Sequence, residues 1–253
     1  MKVDYFDINA NNINDITSIY VKDENKDKLT KLLASNFTKH LLELDLSDCF
    51  YLKGILPISK CKNLKKIILN NINIKSIDNI YKCSELKYLY ISLKFNIVIN
   101  LSKFSNFNNI EYIELNRCNI IYSEFFNDEG DYNNTYLELT KLHTLILNNI
   151  CILSIGYDSN MLITNIFNIL RSCSNLKILK IRLGFYYENI DNIIIDNIEK
   201  LCLLEELELS NMNLNNFKFL NKLKNLKKLT VSKIYDKKIN FPKKLNIIYV
   251  EDY

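Results

Sequence analysis

Glycine and proline are scarce in this chain, which contains 4 Gly and 2 Pro in 253 residues, against average usages of about 7% and 5%. A Gly-rich phosphate-binding loop needs glycines that let the backbone approach the ligand, so the shortage excludes this kind of site. No apolar run reaches the roughly 18 residues that a membrane-spanning helix needs. The first residues, MKVDYFD, lack the apolar segment of a signal peptide. We therefore expect a cytoplasmic or nuclear protein that does not enter a membrane.

Histidine is also rare, and the seven cysteines form no Cys-x-x-Cys pair. An odd number of cysteines without a secretion signal favours reduced thiols, and a structural zinc site is not expected. Neither His40 nor His143 stands in a recognisable nucleophilic constellation. No P-loop, dinucleotide fingerprint or EF-hand loop is present. The sequence therefore predicts a protein that is not an enzyme and that carries no cofactor and no metal.

What the chain does have is an internal repeat. Hydrophobic residues make up 48% of it and charged residues 25%, as in a folded globular protein. Segments such as LKKIILNNINI from Leu64 and LHTLILNNICI from Leu142 carry aliphatic residues at the first, fourth and sixth places, and often at the eleventh. The copies begin at Leu41, Leu64, Leu86, Ile110, Leu142, Leu176, Leu204 and Leu226, with a partial copy from Leu245 and a faint one from Ile16.

Strand geometry explains this pattern. Residues at the fourth and sixth places point to one side of a strand, and those at the third and fifth places point to the other. We expect the seventh and eighth places to lie on that second side as well. One repeat cannot bury its apolar side alone, so neighbouring repeats stack and their strands pair in parallel. Between strands, apolar residues recur every third place, for example at Ile77, Ile80 and Cys83, which favours 3₁₀ turns.

The pattern resembles that of the leucine-rich repeat family, L-x-x-L-x-L-x-x-N/C-x-L. The resemblance implies an α/β fold, a horseshoe-shaped solenoid with a parallel concave β-sheet and a convex side of 3₁₀ and α-helices. Most repeats match the short class of about 22 residues. The family's Asn or Cys at the ninth place is kept only as Cys49 and Cys118, and the Asn residues beside the turns, such as Asn71 and Asn149, are the alternatives for bonding the turn backbone.

Three units are longer and resemble the helix-bearing repeats of the family. We expect an acidic loop within residues 110–142 and helices within residues 161–170 and 190–201, with a further helix within residues 24–37 near an N-terminal cap. Residues 1–40 are thus predicted to form the cap and a degenerate first repeat, and residues 41–253 the array with a partial last repeat.

The repeat also gives the cysteines a structural interpretation. Cys61, Cys83 and Cys173 each lie three places before the first Leu of a copy, where other copies have Phe or Leu. We expect these three thiols to fill the core. Cys151 and Cys202 lie one place off a core column and are expected to be more exposed.

The third and fifth places predict where a partner binds. Over the middle repeats they carry an apolar and aromatic set, and Tyr is enriched at protein interfaces. The pairs Glu43 with Asp45 and Glu206 with Glu208 flank this set, and in the last copy the same places fall on Ile247 and Tyr249. The sequence therefore predicts a non-catalytic scaffold that binds another protein through a concave patch composed of Ile68, Tyr88, Tyr90, Tyr112, Ile146 and Ile178.

Two alternative functions follow from other features. A Lys-rich C-terminal segment, including Lys227, Lys228, Lys237 and Lys238, is a candidate for nucleic-acid association. Lys without Arg is the weaker composition for phosphate recognition, however. A ubiquitin-ligase adaptor would pair such repeats with an F-box, and the N-terminal leader shows no segment of that kind.

Overall fold

The computed structural model describes residues 2–4, 17–20, 31, 33, 35–49, 54–55, 58, 60–93, 97–121, 139–152, 166–167, 170–184, 195, 198–212, 214, 217–232 and 241–250. The acidic residues 123–131 of the loop predicted within residues 110–142 lie outside these residues. The helices predicted within residues 24–37, 161–170 and 190–201 also lie largely outside them. Of their described residues, Lys31, Leu33, Ile166, Phe167 and Leu170 are helical, and Ile198–Lys200 is a 3₁₀ helix.

Fifteen short strands follow one another along the described part of the chain. They are β1 Lys2–Asp4, β2 Ser18–Tyr20, β3 Glu43–Asp45, β4 Gly54–Ile55, β5 Lys66–Asn70, β6 Ile74–Ser76, β7 Tyr88–Ser92, β8 Val98–Asn100, β9 Tyr112–Asn116, β10 Asn119–Ile121, β11 Thr144–Ile152, β12 Ile178–Leu183, β13 Glu206–Ser210, β14 Lys228–Ser232 and β15 Asn246–Val250.

Thirteen of the described strands form one sheet, whose main path runs β1-β2-β3-β5-β7-β9-β11-β12-β13-β14-β15. Every pair along this path is parallel, and from β2 to β14 equivalent repeat places face each other, as Ile67 faces Leu89 and Leu89 faces Ile113. The exception is the end of the β11–β12 pair, where the register shifts by one residue and Ile150 faces Leu183. β8, β10 and the end of β11 pair beside this path, and β4 pairs with β6 in a separate two-stranded sheet. The predicted parallel stack of repeats is confirmed.

The return segments contain 3₁₀ turns, as the three-residue spacing predicts. Each of the turns near Cys83, Phe107 and Leu223 is closed by an amide that bonds the carbonyl three residues earlier, at 2.9, 2.9 and 3.2 Å. The described 3₁₀ helices are Asn36–His40, Ile80–Lys82, Leu101–Asn106, Ile198–Lys200 and Lys218–Lys222.

The core lies between the sheet and these turns. The residues at the first, fourth and sixth places are buried in almost every complete repeat, and burial of each Leu or Ile side chain stabilises the fold by roughly 1.5–3 kcal/mol. On the turn side the rings of Tyr81, Phe104 and Phe107 pack with centroids 5.4–5.8 Å apart. The seventh place departs from expectation, because Ser92 and Ser210 are buried although they lie on the concave side.

Six of the seven cysteines are buried, and none of the seven forms a disulfide bond. The core positions of Cys61, Cys83 and Cys173 confirm the prediction, and so does the exposure of Cys202. The expected exposure of Cys151 is wrong, since only 7% of it is accessible. β11 continues through Cys151 and pairs with β10 there, so a neighbouring repeat covers this residue.

Among the described residues other than Gly, positive φ angles occur at the eighth place of the repeat. Five residues at this place have φ between 51° and 61°: Asp48, Asn71, Arg117, Asn149 and Asn211. This left-handed conformation favours Gly, with Asn and Asp tolerated best among other residues. The amides of Asp48, Asn71 and Arg117 bond the seventh-place carbonyl of the next repeat at 2.8–3.0 Å. Asn and Asp therefore do here what Gly does in other turns.

A second set of asparagines ties neighbouring repeats together at the place before the first Leu. The side-chain amides of Asn63, Asn175 and Asn225 donate to backbone carbonyls of the preceding repeat at 2.6–2.7 Å. Each of these three residues directly precedes the first Leu of its repeat, a shared spacing that the L-x-x-L-x-L pattern does not include.

The last strand is shifted by one residue from the sequence alignment. β15 pairs Asn246 with Lys228 and Ile248 with Thr230, so Asn246 and Ile248, not Ile247 and Tyr249, occupy the third and fifth places. Ile247 thereby occupies the fourth, core-facing place, where it is half-buried. Ile248 and Tyr249 are 37% and 52% exposed.

Arg117 tests the role of the eighth place, since it is the one long side chain among the five residues with positive φ. We expect Arg117→Asn to raise the free energy of unfolding by about 0.5–1 kcal/mol, and Arg117→Val to lower it by about 1 kcal/mol, because a β-branched residue fits this conformation worst. Urea unfolding followed by circular dichroism measures both. Lys224→Asn, at an exposed position without positive φ, is the control, and an equal gain there would contradict the interpretation.

The burial of the thiols predicts their reactivity. Burial raises the pKa of Cys61 to about 11 and that of Cys83, Cys118 and Cys173 to about 12, which suppresses the reactive thiolate. A short iodoacetamide treatment of the native protein at pH 8 should give one adduct by mass spectrometry.

That adduct should map to Cys202 and disappear in Cys202→Ser, whereas all seven thiols should react in urea. Comparable alkylation of Cys151 in the native protein would contradict its burial.

Candidate functional site

The six residues predicted as a concave patch all lie on the outward side of the main sheet, and all are half-buried. At the third place of the repeats Tyr88 faces Tyr112 on the next strand, and at the fifth place Ile68 faces Tyr90. Two polar residues interrupt the set. Glu114 lies between Tyr90 and Ile146, and Thr144 lies between Tyr112 and Ile178. The patch is therefore a tyrosine-rich half on β7 and β9 with isoleucines to either side.

The tyrosine-rich half is organised by ring stacking. The rings of Tyr88 and Tyr112 lie 4.4 Å apart between centroids and are inclined by 8°. The ammonium group of Lys66 lies over the Tyr88 ring, 5.1 Å from its centroid, where the ring quadrupole attracts it. Lys66, Tyr88 and Tyr112 thus form one row across three strands, and the parallel register fixes their spacing.

Glu114 is the polar centre of the patch. The Tyr112 hydroxyl donates to Oε2 of Glu114, and the side-chain amide of Asn116 donates to Oε1 at 2.9 Å. All three residues are on β9 at alternate places, so one strand face holds the whole network. Glu114 is the fifth residue of the repeat that begins at Ile110, and this position alone does not indicate its role. The i, i+2 spacing of Tyr112, Glu114 and Asn116 was the signal that could have identified it.

The environment of the tyrosines changes their acidity. Burial is the largest cause that raises the pKa of Tyr112, and the hydrogen bond to Glu114 and the charge of Glu114 add to it. Burial also raises the pKa of Tyr88. Both phenols therefore stay protonated and donating well above neutral pH.

Of the two acidic pairs that flank the patch, Glu206 with Glu208 is largely compensated by neighbouring cations. Glu206 lies 3.9 Å from the ammonium of Lys180 and 3.7 Å from that of Lys228. Glu208 accepts from Arg182 at 2.8 Å and from the Ser210 hydroxyl at 3.1 Å. These contacts leave less free negative charge on this side of the patch than the sequence alone indicates.

Solved structures match this architecture. An internalin (inlF) from Listeria monocytogenes is similar over 95% of this chain and 58% of its own, with 19% identity and a TM-score of 0.61. The LRR ectodomain of the receptor kinase GASSHO1/SCHENGEN3 from Arabidopsis thaliana, in complex with CASPARIAN STRIP INTEGRITY FACTOR 2, is similar over 78% and 22%, with 16% identity and a TM-score of 0.53. This chain folds as a leucine-rich repeat solenoid.

A second plant receptor shares the fold. The LRR ectodomain of the Arabidopsis receptor kinase HAESA, in complex with an IDA peptide hormone ligand, is similar over 76% of this solenoid and 31% of its own chain, with 17% identity and a TM-score of 0.52. The solenoid thus spans less than two thirds of each of these structures. No protein-family model and no curated protein matches the sequence.

The Lys-rich segment of the solenoid is partly neutralised. Lys227 pairs with Glu205, Lys228 lies 3.7 Å from Glu206, and Lys222 lies 3.4 Å from Glu199. Lys237 and Lys238 lie outside the described residues. Lys222, Lys227 and Lys228 thus form ion pairs with glutamates of the preceding repeat. These ion pairs account for the three lysines without a phosphate ligand.

The described ranges can be compared with the requirements of a metal site, a reactive thiol and a membrane span. They hold no group of three or more His, Cys, Asp or Glu residues able to bind a metal ion. His40 and His143 are exposed, and five of the six buried thiols carry a pKa raised by burial. Within those ranges, no helix has the length and hydrophobicity needed to cross a bilayer.

The raised pKa of Tyr112 gives a test at alkaline pH. An unfolded Tyr ionises near pH 10, so above that pH the unfolded state releases protons first and stability falls as pH rises. We expect the free energy of unfolding of Tyr112→Phe to fall less steeply between pH 9.5 and 11 than that of the wild type. Urea titrations at several pH values measure the two slopes.

Tyr249→Phe removes the same hydroxyl from an exposed ring at the sheet edge and is the matched control. Equal slopes for wild type and Tyr112→Phe would contradict the proposed environment of Tyr112.

Proposed function

We propose that this solenoid is a non-catalytic scaffold that binds another protein through the concave patch of Ile68, Tyr88, Tyr90, Tyr112, Ile146 and Ile178. The observation that carries the proposal is the row formed by Lys66, Tyr88 and Tyr112, which presents ordered aromatic rings on the outward face of the sheet. Pre-ordered Tyr side chains lose little conformational entropy on binding and are common among residues that dominate interface energies.

The fold supports a binding role in general terms. Two plant ectodomains with the same fold were solved as complexes, one with CASPARIAN STRIP INTEGRITY FACTOR 2 and one with an IDA peptide hormone ligand. A stack of parallel strands gives a long surface on which third- and fifth-place residues vary while the core columns remain fixed. We propose that residues 41–253 supply this surface and that residues 1–40 cap it.

We also propose that the protein acts in the cytoplasm or nucleus. None of its seven cysteines forms a disulfide bond, and six of them are buried. Reduced thiols are the usual state in those compartments. Nucleic-acid binding is not favoured, because Lys227 and Lys228 already pair with glutamates.

Affinity purification with quantitative mass spectrometry tests the scaffold proposal. For a variant with Tyr88→Ala, Tyr90→Ala and Tyr112→Ala, the recovered amount of each specific partner should fall at least about tenfold relative to wild type. The reason is that truncating an aromatic anchor at the centre of an interface costs about 2 kcal/mol or more of binding free energy. Circular dichroism must first show that the variant is folded.

The matched control carries Ile248→Ala and Tyr249→Ala, which remove exposed apolar side chains from the last strand. It should retain all partners. Equal recovery of every partner by the triple variant would overturn the concave-patch proposal.

A further inference from the structure

Glu114 differs from the flanking carboxylates Glu206 and Glu208, each of which has a Lys or Arg group within 4 Å. It resembles Asp45, which accepts from an N–H and a hydroxyl of Ser47 at 3.0 and 2.6 Å, but Glu114 alone of the two lies between two residues of the concave patch. Among the described residues, no Lys, Arg or His group lies within the ion-pair distance of Glu114. The centre of the patch therefore holds a negative charge without a cation.

The carboxylate of Glu114 is also held in place. Tyr112 fixes one of its oxygens and Asn116 the other. A carboxylate has about four acceptor sites, so two remain after these bonds. The strand places this side chain on the outward side of the sheet, where it is half-buried, and neither bond removes its charge.

The neighbours of Glu114 favour a cation over other occupants. Tyr90 and Ile146 lie beside it on the adjacent strands, and the Tyr112 ring belongs to the stacked pair. Tyr rings attract cations over their faces, and the aliphatic part of an Arg or Lys side chain packs on Ile. The ammonium group of Lys66, the lysine of this row, already lies over the Tyr88 ring and is not within ion-pair distance of Glu114.

We infer that the bound protein is an extended segment carrying an Arg or Lys side chain that pairs with Glu114 at the centre of the concave patch. This inference rests on the proposed function and specifies its partner. An extended segment lying across the strands places one side chain at Glu114 and others beside Tyr88 and Ile146. A guanidinium group fits best, because its planar N–H donors match the two acceptor sites that remain.

Peptide selection tests the inference. A random twelve-residue library displayed on phage is panned separately on wild type, on Glu114→Gln and on Glu199→Gln. The last variant makes the same charge change on a 3₁₀ turn away from the sheet. Peptides recovered on wild type and on Glu199→Gln should be enriched in Arg or Lys, and those recovered on Glu114→Gln should not.

Synthetic copies of the selected peptides then give dissociation constants by fluorescence polarisation. Glu114→Gln should weaken binding at least about tenfold, as truncation of one partner of a desolvated charge pair does. Citrulline in place of the peptide's Arg should weaken binding to wild type equally, which guards against a folding defect in the variant. Tyr88→Ala should weaken binding as well.

The remaining outcomes separate the two proposals. Peptides that need Tyr88 but show no basic enrichment and bind Glu114→Gln normally would overturn this inference and leave concave binding standing. Selection of acidic peptides would overturn it too. Recovery of no peptide whose affinity depends on Tyr88 or Glu114 would count against both proposals.

Discussion

The parallel pairing of neighbouring repeats is the interaction on which the rest of the structure depends. A single repeat has too few apolar residues to form a core, so its fourth- and sixth-place side chains are buried only when the next strand is in register. The same register sets the positions of the outward side chains. Tyr88 and Tyr112 stack because β7 and β9 pair place for place. Stability and the candidate binding surface therefore arise from one set of backbone hydrogen bonds.

Much of the fold could be predicted because the repeat fixes burial at known intervals. The strand starts, the core positions of Cys61 and Cys83 and the three-residue spacing of the turns all follow from side-chain periodicity. Cys151 and the last strand could not be predicted in the same way. Each depends on how a neighbouring strand extends or shifts, and a pattern within one repeat does not encode that information.

The candidate site was predictable only in part. Column positions identified the tyrosines and isoleucines, since outward places can be counted from each repeat start. The contacts that shape the site, between Tyr112 and Glu114 and between Lys66 and Tyr88, depend on rotamers within and across strands. Sequence columns also overstated the charge at Glu206 and Glu208, whose partners Lys180 and Arg182 come from the neighbouring strand.

The one-residue shift of β15 has a consequence for engineering the array. Leu245 still packs against the core, and its amide bonds the Pro242 carbonyl at 3.0 Å, as the first-place residues of other repeats bond the carbonyl three residues earlier. The shift therefore arises between Leu245 and the strand, which reaches its third place at Asn246, one residue early. A consensus repeat grafted after β15 must take its strand frame from Asn246 and Ile247, because a one-residue slip turns every side chain to the other face of the sheet.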